Sequence, residues 1–210
     1  MFREKEAPRV TPWPGQRPQM TDSDKIPATR SLPWSSTTHL LAIVALLLVA
    51  VAIFFLAGIV EPDPLHDLIV LTGQARDHDN AAVIPDGERP PAGGVHHDVW
   101  LNCGVYREPV ESAQAVHTLE HGAVWITYRA DIHPQEVATL EQRVWTESHT
   151  ILSPYPSQTS PIVLTAWSVQ LEIDSAADPR IDDFIDRYRL GATAPESGGT
   201  CTGGAGEPIN

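Results

Sequence analysis

Residues 116–129 read VHTLEHGAVWITYR, and the architecture can be worked out from this stretch. Val116 to His121 fits the end of a helix that begins near Pro109, a residue suited to a first helical turn. Gly122 fits the left-handed cap that closes such a helix. Beyond it Val124, Ile126 and Tyr128 alternate with Ala123, Trp125 and Thr127, the period of a strand. One helix therefore runs directly into one strand. His117 and His121 fall in its final turn.

Working outward, VWLNCGVY (99–106) alternates and predicts a strand on the N-terminal side, preceded by the turn-rich PDGERPPAGG (85–94). Leu68–Leu71 is a short apolar run that also reads as a strand. On the C-terminal side Pro134 opens a second helix, with Val137, Leu140 and Val144 at helical spacing. SPYPSQTSP (153–161) reads as a turn, and 162–173 as one long strand. Asp178-Pro179 starts a last helix whose stripe is Ile181, Phe184, Ile185 and Tyr188. Strands interleaved with amphipathic helices predict an α/β (α+β) two-layer sandwich with a mixed sheet. The core is expected over 98–190. Residues 61–97 are expected as linker and loop, and the glycine-rich 191–210 as a flexible tail.

A different solvent governs the N-terminal part. Leu40 to Val60, LLAIVALLLVAVAIFFLAGIV, is 21 residues without a charge or a proline. About 20 apolar residues of helix cross a hydrocarbon core, so a single transmembrane helix is expected over 39–60. A cleaved signal peptide has a shorter apolar region and a shorter approach to it. Residues 1–38 hold six prolines and read as a disordered tail. Of the 14 Lys and Arg, six precede the span (Arg3, Lys5, Arg9, Arg17, Lys25, Arg30), whereas Glu61, Asp63 and Asp67 follow it. The positive-inside rule then puts the N-terminus in the cytoplasm and the C-terminal domain outside the cell membrane.

The tail holds four of the 27 acidic residues, which leaves eight basic against 23 acidic beyond it, a formal charge of −15. Such a surface argues against nucleic acid as a partner. The bilayer itself, through Leu40–Val60, is the expected partner; a membrane protein partner is an alternative. Cys103 and Cys201 both fall on the exported side, where disulfides persist. A bridge closing that long loop stabilises by about 4–5 kcal/mol at most on chain-entropy grounds. Thiolate ligation of a metal is the other use open to them.

Eight of the nine histidines lie from His66 onward. His117 and His121, four apart, share a helix face and can clasp one ion, with Glu120 on the next turn. His96, or His97 beside it, can supply a third nitrogen from the end of the loop. Neutral imidazole suits a divalent zinc or copper ion. The only methionines, Met1 and Met20, precede the span, which excludes a thioether-rich Cu(I) site in the exported domain. The string HxxEH also matches the inverted-zincin pattern, with Glu120 as general base of a metal-dependent hydrolase. Gly122, ending the helix at once, weighs against that reading. Helix-end and loop roles for the histidines are the bland alternative.

At these residues the chain resembles a bacterial membrane-anchored family known as domain of unknown function 3105, over roughly 65–201. The likeness rests on Pro90-Pro91-x-Gly93-Gly94-x-His96, Val116-His117-Thr118-Leu119-Glu120-His121-Gly122, Leu164-Thr165-Ala166-Trp167, and Phe184-Ile185-x-x-Tyr188-Arg189 before Pro195-Glu196. The chain departs from it at Gly93, where a serine is expected. The resemblance brings no activity with it. It implies that the two histidine clusters belong to one site, so the expectation is a ligand-binding protein rather than an enzyme.

Overall fold

The computed structural model describes residues 36–57 and 63–209. Residues 1–35 of the proposed tail, 58–60 of the proposed span and the start of the proposed linker lie outside the described residues, and the last three residues of that tail, Ser36 to Thr38, are helical. The chain divides into two units, with the boundary after residue 61.

In the first unit Ser36–Ala57 forms helix α1. Its 22 residues give a rod of about 33 Å, and its residues from Leu40 to Leu56 are exposed all round. Apolar residues on every side of an unburied helix suit lipid rather than water. Among the described residues this is the helix long and apolar enough to cross a membrane.

The second unit is an α+β fold. Its strands are β1 (Ile69–Val70), β2 (Gly104–Val105), β3 (Val124–Tyr128), β4 (Thr150–Pro154), β5 (Ile162–Ala166) and β6 (Val169–Ile173). Its helices are α2 (Ser112–Glu120), α3 (Pro134–Thr146) and α4 (Arg180–Tyr188). The six strands form one mixed sheet in the order β1-β6-β5-β3-β4-β2. β4 runs parallel to both β3 and β2, and the remaining pairs are antiparallel. The parallel pair β3 and β4 is joined by α3, the crossover that such a pair needs.

Packing explains why every residue of β3 is buried. Val124, Ile126 and Tyr128 face a core with Leu140 and Val144 of α3 and Ile181, Phe184 and Ile185 of α4. Trp125 faces the opposite way, into a second cluster with Ala115, Val116 and Leu119 of α2, Tyr155 and Trp167. α2 thus covers the face of the sheet opposite α3 and α4. His117 and Glu120 of α2 stand outside the cluster that Ala115, Val116 and Leu119 make with the sheet.

Four readings change. The run 162–173 is a hairpin: β5 and β6 pair from Ile162↔Ile173 to Ala166↔Val169, and Ser168 turns with φ 65°. Trp167-Ser168 carries no Asn or Gly, so alternation passes through the turn unbroken. β4 occupies the start of the segment read as a turn. Its Ile151 and Leu152 are buried on both sides, and a parallel strand so covered shows no alternation. The predicted strand 99–106 keeps only Gly104–Val105 plus a single bridge from Leu101 to Ala205. Finally, the compact unit is wider than 98–190. Leu65 joins the core, β1 pairs with β6, and residues 201–209 lie along 100–105. There the Cys103 and Cys201 sulfurs lie at disulfide distance, with Cα atoms 5.3 Å apart.

Candidate metal centre

The centre is built on the last turn of α2. Thr118 fixes the chain beside that helix. Its Oγ1 donates to the Leu101 carbonyl at 2.8 Å and accepts from the Leu101 amide at 2.9 Å. This lays residues 97–101 across the helix and brings the His97 carbonyl over His117. On the far side, residues 196–200 satisfy carbonyls that a helix end leaves open. The Glu196 amide donates to the Glu120 carbonyl (3.0 Å), and the Gly198 amide to the His121 carbonyl (3.1 Å). His121 is the C-cap of α2, and Gly122 follows with φ 97°, the left-handed conformation that glycine adopts freely.

Three of the predicted ligands share one feature. His96 Nδ1 lies 2.7 Å from the Gly94 carbonyl, His117 Nδ1 2.7 Å from the His97 carbonyl, and His121 Nδ1 2.7 Å from the Thr200 carbonyl. A carbonyl oxygen only accepts, so each Nδ1 carries the proton and donates it. In the neutral ring each Nε2 is then a lone pair with a fixed direction. This is the arrangement by which proteins orient metal-binding imidazoles.

Those lone pairs converge. His96 Nε2 lies 2.9 Å from Glu120 Oε2. A neutral imidazole nitrogen and a carboxylate oxygen are both acceptors. Contact between them requires either an extra proton or a shared cation. His96 is wholly buried and Glu120 is 2% exposed, so the proton or cation that joins them is held away from solvent. A further ring meets them: His78 Nε2 lies 3.5 Å from the same Glu120 oxygen. The donor atoms of His78, His96 and His117 all lie within 4.8 Å of one another, close enough to hold one ion. Trp167 stands edge-on to the His96 ring, and Trp100 packs against His117 and His121.

His117 also belongs to a second group, with His121 and Glu196, again within 4.8 Å. His121 Nε2 is 3.8 Å from Glu196 Oε2. Of the expected set, His96 and His117 fall in the first group and His117 and His121 in the second, while Glu120 adjoins the first through His96 and His78. His97 enters differently from the expectation. Its Nδ1 accepts from the Val99 amide, and its backbone oxygen is what reaches the centre. Neither cysteine sulfur joins either group.

The sequence reading missed His78 and Glu196. His78 sits beside His96 because the two backbones form an isolated parallel bridge, with the Asp79 amide donating to the His96 carbonyl. No spacing in Arg76-Asp77-His78-Asp79 announces that partner. Glu196 stood in the Pro195-Glu196 pair, the last part of the resemblance, and that was the one signal available.

Burial keeps a ring nitrogen bare here. Burial pushes His117 down to about 4, against its hydrogen bond to His97, with the neighbouring histidines adding to the effect. It is neutral at pH 7 and ready to ligate. The C-terminal end of a helix also carries negative partial charge, and the centre lies on that end of α2.

Fold and cluster together define an α+β domain with a buried histidine–carboxylate centre at the end of one helix. Residues 80–203 match the family described as "Protein of unknown function (DUF3105)", and the chain belongs to it. Neither the curated proteins nor the solved structures hold a match to this chain.

Proposed function

We propose that this protein is a membrane-anchored, extracytoplasmic metal-binding protein whose ligand is a divalent zinc or copper ion. His78, His96, His117 and Glu120 hold it. One observation carries the reading: buried His96 and Glu120 present acceptor to acceptor at 2.9 Å, while backbone carbonyls fix the tautomers of His96 and His117. Three imidazole nitrogens and one carboxylate oxygen form a set that zinc takes as a tetrahedron and that Cu(II) also accepts. The anchor is α1, and the cytoplasmic N-terminus follows from the flanking charges.

The hydrolase alternative finds less support. A general base needs a free edge toward water and substrate. Glu120 is buried and lies against His96, which suits a ligand or a ring-orienting acceptor.

Calorimetric titration of the detergent-solubilised full chain with Zn²⁺ and Cu²⁺ tests the proposal. Wild type binds both, Cu²⁺ more tightly, following the general affinity order for nitrogen and oxygen sites. His96→Ala loses at least 100-fold in affinity. Equal weak binding by wild type and His96→Ala would return these histidines to structural roles.

A further inference from the structure

From the two groups that meet at His117 we infer that the domain has a second, outer cation position, formed by His117, His121 and Glu196. It is the station through which a divalent ion enters and leaves the inner position. The inference rests on the metal-binding reading above and adds a route to it.

The two positions differ in donors and in access. The inner group offers three nitrogens, with the Glu120 oxygen against two of them, His96 and His78; His96 is wholly buried and Glu120 nearly so. The outer group offers two nitrogens and one oxygen, and its Glu196 side chain is 55% exposed. Three donors leave room for water or an incoming ligand, the mark of an exchangeable site. His121 is nevertheless built for the task. The Thr200 carbonyl fixes its Nδ1 at 2.7 Å, and the ring lies so close to Gly199 that a Cβ there would stand 2.5 Å from it.

His117 makes the positions exclusive. Its Nδ1 is held by the His97 carbonyl, so Nε2 is its one lone pair, and one lone pair binds one ion at a time. Each position lies about 2.0–2.1 Å from that nitrogen, the ordinary zinc–imidazole length. The two are thus no more than about 4 Å apart, and a small swing of the ring about its Nδ1–H bond carries the ion between them. Two dications at that spacing with no anion bridging them repel, so the chain holds one ion, not two. His78, with 38% of its side chain exposed, is the rival door to the inner position.

The experiment loads the full chain in detergent with Zn²⁺ and follows its release to a chromophoric chelator by stopped flow, beside equilibrium titration. Wild type takes up one ion per chain. Glu196→Gln and His121→Ala each slow both loading and release at least tenfold, and their equilibrium affinity stays within about threefold, since an intermediate station affects rates and not end states. Glu196→Gln keeps the backbone bond to Glu120 and the fold with it. Two ions per chain would overturn the inference, as would wild-type rates in both variants, which would send the ion past His78. A loss of affinity in His121→Ala equal to that of His96→Ala would also overturn it, by making one site of the two. No binding by wild type would sink the metal-binding reading and this route together; the other three outcomes leave that reading standing.

Discussion

Single atoms decide the chemistry, and the deciding ones are the three Nδ1 protons given to backbone carbonyls. They turn histidines that otherwise serve as helix-end polar groups into aimed donors. His117→Ala is expected to remove most Zn²⁺ affinity by calorimetry, since it takes a nitrogen from the inner group and from the outer one. Glu120→Gln costs about 10–100-fold, the usual effect of weakening a carboxylate that ligates or orients. His133→Ala leaves binding unchanged, because His133 only caps α3 through the Gln135 amide. His149 is a poorer control, since its Nε2 bonds to the Gly199 carbonyl beside His121. Acid stability follows from the same burial. His117 titrates near 4 in the folded chain and near 6.5 when unfolded. The unfolded chain therefore binds the proton first as pH falls. Metal-free stability from this residue is complete above about 6.5 and declines toward about 4. Urea unfolding of the metal-free chain between those values tests it: His117→Asn should show a shallower decline than wild type.

At the scale of elements, the sequence revealed α2, α3, α4 and β3 because each has one dominant period and a clear boundary residue. Pro134 opens α3, and Gly122 closes α2. It hid β4 and the β5–β6 turn, where burial on both faces and a turn without glycine erase the usual signals. The site was half legible for a similar reason. His117, Glu120 and His121 share one helix turn and were visible through their spacing. His78 and Glu196 reach the centre through a lone bridge and through the segment after α4, contacts that no local pattern encodes. That segment has few apolar anchors. Asn102 holds it at Gly204 and Gly206, and Cys201 lies at disulfide distance from Cys103. Replacing both cysteines with serine is expected to lower stability by about 2–5 kcal/mol. It should slow zinc loading, because Thr200 and Glu196 lose their fixed place, while leaving the inner affinity within a few-fold. Non-reducing peptide mapping of wild type should show the two cysteine peptides linked; two free thiols in chain taken directly from the envelope would refute the bridge.

The whole molecule joins an apolar helix to an acidic domain with a buried donor cluster. The apolar helix was readable without a structure, since length and composition alone mark a segment able to cross a bilayer. Protease added to bacteria stripped of their wall should remove the C-terminal domain and spare residues 1–38. Protection of the domain would place it in the cytoplasm and remove the reason for an oxidised cysteine pair. The metal centre is the central claim, and X-ray absorption at the metal edge addresses it most directly. The chain is purified in detergent from bacterial membranes, without added metal, and its zinc and copper content measured. The account predicts about one equivalent of zinc or copper, with light donors at about 2.0–2.1 Å and the outer-shell scattering of three imidazoles. A chain carrying no metal, or a metal held by sulfur or by oxygen alone, would contradict it.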